Sequence, residues 1–240
     1  MDRAAFYRSL RRRESGVFGT FLSQGQVDGM EALLNAGRGL PLHHLANVLA
    51  QVARETGRRM APVRETFADT DAQAIARLER AWARGHLTWV RTPYWRDGWF
   101  GRGQIQLTHE SNYRKFGITN PSDALKRDVS ARVAVEGMRD GKFTGRKLSD
   151  YDFPAALDYP PSRNPRRIVN GQDGSDAQVA GYHRDFAAAL IAGGYQPARE
   201  VYPAPTRPAT TPAPRPTAPR PARGIMATLV AFLRSLRGDA

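Results

Sequence analysis

The sequence predicts a mainly α-helical domain with minor β content. Three observations carry that expectation: apolar residues recur at helical spacing in several segments, strand-like alternation is scarce, and no internal repeat is present. Val27, Met30, Leu33 and Leu34 form a first short stripe. Leu42, Leu45, Val48, Leu49 and Val52 form the clearest one, opened by Pro41 at a favourable first-turn position. Asp71 begins a helix through Ile75, Leu78 and Trp82 that closes near Gly85. Another spans about Ser130 to Asp140, with Val133, Val135 and Met138 on its apolar side. A last one runs from Ser175 to Ile191 and stops at Gly193-Gly194. Gln104 to Leu107 is the best strand candidate.

The 240 residues divide into three parts. Residues 1–198 have globular composition and suffice for one well-buried domain. Residues 199–223 form a linker, with eight prolines between Pro203 and Pro221 mixed with Ala, Thr and Arg, the composition of an extended, solvated tether. Residues 224–240 read as a short basic amphipathic helix, with Ile225, Met226, Leu229, Val230, Phe232 and Leu233 followed by Arg234 and Arg237. Such a segment is suited to anionic membrane contact.

Cysteine is absent, which excludes a disulfide framework and a thiolate metal site. The net charge of +13 comes almost wholly from 32 arginines, against 4 lysines. It favours polyanionic partners, whether nucleic acid, a membrane surface or a cell-wall polymer. The basic N-terminus lacks the apolar stretch of about seven residues of a secretory signal, and no segment reaches the roughly 18 apolar residues of a membrane span. The expectation is a protein made in the cytoplasm without a signal peptide. It would act outside only after release or delivery by another factor. His43, His44, His86, His109 and His183 show no metal-ligand spacing, and no phosphate-binding glycine motif or nucleophile elbow occurs, so no cofactor and no metal are expected.

The chemistry concentrates between Tyr94 and Tyr113, Y-W-R-D-G-W-F-G-R-G-Q-I-Q-L-T-H-E-S-N-Y. Gly98, Gly101 and Gly103 permit positive φ or close backbone approach to a ligand. Trp95, Trp99 and Phe100 are flat surfaces of the kind sugar rings stack on. Gln104, Gln106, Thr108 and Asn112 form a polar run. A second informative stretch is Gln51 to Ala68. Three residues beyond Val52 the apolar stripe reaches Glu55, a carboxylate near the apolar face at the helix end. Apolar surroundings would raise its pKa and suit a general acid; a partly exposed Glu paired with Arg58 or Arg59 is the other reading. Glu65, next to Arg64, reads equally as a surface residue. Asn170-Gly171 would form a turn in any protein.

The stretch from Phe100 to Tyr113 resembles the signature F-G-R-G-x-I-Q-L-[ST]-x-x-x-N-Y of glycoside hydrolase family 19, the family of chitinases and phage endolysins. That resemblance implies a lysozyme-like, two-lobed helical domain with a substrate cleft. Arg54-Glu55-Thr56-Gly57-Arg58 is similar to the family's H-E-[TS]-G-G without its His and second Gly, which makes Glu55 the general acid. A second Glu follows in bacterial and phage members and acts as base; Glu65, ten residues on across Pro62, takes that place. Thr108 would help position the attacking water. Gln106, Asn112 and Trp99 would bind sugar, as would Asn170 in R-R-I-V-N-G, which is similar to the family's R-x-I-N-G-G.

The expected function is then an endolysin-type glycoside hydrolase. It would cleave β-1,4 bonds between amino sugars of peptidoglycan by an inverting two-carboxylate mechanism. A chitinase acting on N-acetylglucosamine polymers is the alternative, and a non-enzymatic basic envelope- or nucleic-acid-binding protein is a third reading. No helix carries a clean basic stripe, so no nucleic-acid partner is expected, and the chain is expected to be a monomer.

Overall fold

The computed structural model describes residues 1–13 and 16–197. The expected linker at 199–223 and the expected basic helix at 224–240 lie outside the described residues. Among the described residues the fold is mainly helical. Seven α-helices occur, α1 (Arg3–Leu10), α2 (Gln24–Ala36), α3 (Leu42–Glu55), α4 (Asp71–Ala83), α5 (Glu110–Arg114), α6 (Arg127–Asp140) and α7 (Asp176–Ala192). One small antiparallel sheet pairs β1 (Val63–Arg64) with β2 (Arg102–Gly103), Val63 opposite Gly103 and Arg64 opposite Arg102. No helix among these residues is long and apolar enough to cross a membrane.

The clear apolar stripe of the sequence becomes the central helix. Every residue of α3 from Leu45 to Glu55 is buried. It packs chiefly on α7, which also receives α1, while α2 lies against α6. Each fully buried Leu or Val contributes about 1.5–3 kcal/mol, and α3 alone supplies Leu45, Val48, Leu49 and Val52. Pro41 sits one position earlier than expected, as the N-cap, where its fixed φ of −52° opens the helix without a side-chain cap. The N-terminal helix α1 was not visible as an apolar stripe: only Phe6 and Leu10, one turn apart, point inward, and both are fully buried among arginines that stay outside.

Two expectations are corrected. Gln104–Leu107 is no strand: after β2 the chain turns through Gln104, Ile105 and Gln106 and returns at Leu107, which bridges back to Arg102. Gly103, at φ 116°, makes that reversal possible. The helix expected from Ser130 begins instead at Arg127. Ser130 is buried inside it, and its Oγ accepts a hydrogen bond from the Gln104 backbone N–H at 2.7 Å. A residue read as a helix start therefore fastens the turn of the polar motif.

Apolar side chains gather in three clusters. The largest unites α1, α2, α3, α6 and α7. A second joins α4 to Trp95 and Phe100, and a third joins Leu107, Tyr113, Phe116, Ile118, Ala124 and Val133. The polar motif, residues 94–113, contributes to all three: Ile105 to the first, Trp95 and Phe100 to the second, Leu107 and Tyr113 to the third.

Candidate active site

Glu55 is the last residue of α3, and its side chain is 1% exposed. Its neighbour is neither apolar surroundings nor Arg58 or Arg59. Nη2 of Arg166 lies 2.5 Å from Glu55 Oε1. The same guanidinium donates to Asp173 Oδ2 at 2.7 Å and to Gln51 Oε1 at 2.8 Å. Gln51 stands one helical turn before Glu55 and also donates to the Pro165 carbonyl, so α3 and the short helical turn Pro165–Ile168 are stitched together. Arg54 approaches Asp173 at 4.0 Å. Burial alone would raise the Asp173 carboxyl, but the Arg166 guanidinium and the Ser175 N–H and hydroxyl hold it down at about 2. Two guanidiniums and two carboxylates thus balance one another in a nearly dry cluster.

The chain between the two glutamates and just past the second is unusual. Gly57, Arg58, Met60, Thr66 and Phe67 all have φ between 53° and 68°. Left-handed geometry at four non-glycine residues is a cost that neighbouring contacts must hold in place. They do so at several points. Gln26, half of a capping box with Ser23 at the start of α2, also donates to the Arg58 carbonyl at 2.9 Å. The Met60 carbonyl accepts from the Gln104 amide and lies so close to Gly29 that a Cβ there would be 2.1 Å from it.

This loop delivers Glu65 inward. Its carboxyl is fully buried, so the surface reading fails; the neighbouring Arg64 pairs instead with Asp71 at 2.6 Å. Oε1 accepts from the Tyr94 hydroxyl at 2.6 Å and Oε2 from the Gly101 backbone N–H at 2.6 Å. Burial raises the Glu65 pKa, and those two donors with the Arg102 charge pull only partly against it. Gly101 is needed here for space: a Cβ would stand 2.6 Å from Gln106 Oε1 and 3.2 Å from Glu65 Oε2. Gln106 and Glu65 therefore converge on one glycine.

Beside them lies a pocket of about 130 Å³, whose lining includes Tyr94, Gln106, Thr108, His109 and Asn112. Phe116, Lys142, Phe143 and Val169 also line it. Val169 follows the Arg166 turn directly, which ties the pocket lining to the Glu55 cluster. His109 enters α5 at φ 69°, with its ring against Tyr94 at 4.8 Å, and burial lowers its pKa.

Among the expected binding residues, Gln106, Thr108 and Asn112 line this pocket. Asn112 is partly engaged already, donating to the Thr108 carbonyl at 2.7 Å and accepting from Lys115 at 2.9 Å. Asn170 is buried. Its Oδ1 accepts from the Gly171 N–H, as an Asn-Gly turn would, while its Nδ2 has no hydrogen-bond partner. The aromatic platform is smaller than expected. Trp95 and Phe100 are fully buried, Trp95 in the α4 cluster and Phe100 beneath the Arg102 guanidinium at 3.6 Å, so neither offers a free face. Trp99 is half-buried, edge-on to Tyr113 at 5.2 Å.

No protein-family model, curated protein or solved structure matches this chain. The site therefore speaks through its own residues. Sequence reading missed Arg166, Asp173 and Gln51, which surround Glu55, and Tyr94, which holds Glu65. Arg166 and Tyr94 both stand inside motifs singled out above, but neither spacing nor periodicity marks them as partners of a carboxylate. Among the described residues no group of His, Asp and Glu could hold a metal ion. The arrangement can offer a proton, accept one, and hold polar substituents in a pocket with apolar walls.

Proposed function

We propose that the chain is a glycoside hydrolase that cleaves β-1,4 bonds between the amino sugars of bacterial peptidoglycan. The observation that carries this reading is one pair of buried carboxylates, Glu55 and Glu65, each connected to a pocket lined by Gln106, Thr108 and Asn112: Glu65 through the Tyr94 hydroxyl, Glu55 through the Arg166 turn that leads into Val169. Hydrolysis with inversion needs such a pair. One carboxyl protonates the glycosidic oxygen as the other deprotonates a water attacking the opposite face. In this reading Glu55 is the acid and Glu65 the base. Burial makes Glu65 a stronger base near neutrality than an exposed carboxylate, which is what the step asks of it. Thr108 orients the water, and Gln106, Asn112 and Asn170 hold sugar hydroxyls and acetamido groups, with Trp99 beside them. A lysozyme-like domain with two lobes is consistent with apolar side chains gathering in separate clusters.

Peptidoglycan is preferred over chitin because a net charge of +13 suits an anionic envelope polymer better than a neutral one. Both polymers contain N-acetylglucosamine, so the catalytic pair serves either. Zymograms on purified peptidoglycan and on chitin test the order: clearing of chitin alone reverses it. The basic segment at 224–240 would add contact with anionic membrane, tested by liposome co-sedimentation of the full chain against residues 1–202.

One observation favours a second reading, in which the two carboxylates exchange roles: burial raises the Glu65 pKa, which suits a protonated acid. An aryl glycoside whose leaving group needs no protonation decides: it restores turnover to whichever Glu→Gln variant has lost the acid.

A further inference from the structure

Glu65 presents a difficulty to any reaction that uses it. Its side chain is fully buried, and each of its oxygens already holds a donor. One donor is a backbone amide, which gives up no proton under working conditions. The other is a phenol, which can donate and accept at the same oxygen. Tyr94 reaches both places: its hydroxyl lies 2.6 Å from Glu65 Oε1, and the residue is part of the lining of the pocket with Gln106, Thr108 and Asn112.

We propose that the Tyr94 hydroxyl is the proton path between buried Glu65 and the pocket. This rests on the glycosidase reading above. The attacking water forms its bond to the anomeric carbon while its O–H bond breaks, the electron pair staying on the water oxygen. The released proton passes to the Tyr94 oxygen as the phenolic proton passes to Glu65 Oε1. The glycosidic C–O bond breaks with its electron pair on the leaving oxygen, which takes the proton of Glu55. The phenol is regenerated within the step, and Glu65 later returns its proton to solvent along the same path. Were the carboxylates exchanged, the proton would run outward through the same hydroxyl.

The surroundings favour a concerted transfer. Burial and the nearby Glu65 charge push the Tyr94 phenol well above its ordinary acidity range, so a free phenolate has no stable place in the site. The Tyr94 ring is packed on two sides: Tyr94 opens a short helical turn capped by Gly98, φ 80°, and its ring packs edge-on against both Trp95 and His109. A phenol fixed on two sides keeps its oxygen on the carboxylate.

Replacement of Tyr94 by Phe preserves the ring and removes the oxygen. With fold verified by its melting curve, Tyr94→Phe should lower kcat on peptidoglycan about 100-fold with KM within about threefold. It should also displace the limb of the pH profile that Glu65→Gln abolishes. A 3-fluorotyrosine at position 94, which keeps the hydroxyl but alters its acidity, should change kcat measurably; that variant decides the matter if Tyr94→Phe fails to fold. A Tyr94→Phe enzyme within about threefold of wild-type kcat, a loss confined to KM, or a kcat indifferent to fluorination overturns the relay alone. A folded wild type inactive on both peptidoglycan and chitin overturns the relay together with the glycosidase reading.

Discussion

Arg166 and Glu55, 111 positions apart in the chain, meet at 2.5 Å with side chains no more than 1% exposed. A charge pair in such a place is weak proof of net stabilisation, since desolvating both ions opposes their attraction. Losing one member is another matter. Arg166 also serves Asp173 and Gln51, so its removal would strand two buried carboxylates at once. Arg166→Met should cost about 3–5 kcal/mol in urea unfolding and abolish activity. Arg166→Lys should recover little, because a point charge on a flexible stem cannot bridge Glu55, Asp173 and Gln51 together. A loss under about 1 kcal/mol would show that the cluster is not the structural hub described.

Gly101 separates packing from chemistry in the second cluster. An alanine there would put a methyl group against Gln106 Oε1 and Glu65 Oε2 without straining the backbone, since Gly101 has no positive φ. Gly101→Ala should therefore unfold within about 1–3 kcal/mol of wild type and lose hydrolysis by roughly 10²-fold, through displaced reacting groups. Wild-type rates in a folded Gly101→Ala protein would mean that Gln106 and Glu65 need not converge.

Glu65 links function to pH-dependent stability. Its folded pKa is raised, so the folded state binds the proton more tightly than the unfolded chain does. The sign follows: stability is fully present below the ordinary glutamate range and declines as pH rises through the folded value. Glu65→Gln removes that cost. Its carbonyl can accept from Gly101 and its amide can donate to the Tyr94 oxygen. Urea titrations should find this variant about 1 kcal/mol more stable than wild type near pH 7.5, with the gain fading towards pH 4. A variant less stable than wild type at pH 7.5 would contradict the assigned environment.

The opposite dependence should come from His183. It is fully buried on α7, stacked between His43 and Phe153, with ring nitrogens 3.1 Å from His43 Nδ1 and 3.3 Å from Asn47 Nδ2. Burial, then the nearby His43, Arg184 and His44, lower its pKa to about 3. The unfolded chain binds the proton first, so stability from this group is lost as pH falls from about 6.5 towards 3. The slope approaches 1.4 kcal/mol per pH unit. His183→Gln should flatten the acid limb of the stability curve; an unchanged limb would place the acid sensitivity elsewhere.

How much of this was legible in the sequence depends on whether the signal is local. The stripe Leu45, Val48, Val52 led to Glu55 because helical periodicity alone puts that residue on the buried face, and the polar run from Gln106 to Asn112 does line one pocket. What surrounds the carboxylates was not legible. Arg166 looks like any arginine in an arginine-rich chain, and only the fold brings it to Glu55. Glu65 sits between Arg64 and Thr66, a polar neighbourhood that reads as surface. The left-handed turn at Thr66 and Phe67 accompanies its burial, and no residue type there announces positive φ. The aromatics misled for a related reason: Trp95 and Trp99 look alike in sequence, but only Trp95 is sealed beneath α4.

The most direct test of the central claim is release of reducing ends from purified peptidoglycan by wild type, Glu55→Gln and Glu65→Gln, each verified as folded by circular dichroism. A two-carboxylate glycosidase predicts clear release by wild type and a fall of about 10² or more in each variant. Release that survives in both variants, or none from a folded wild type on peptidoglycan or chitin, would contradict it.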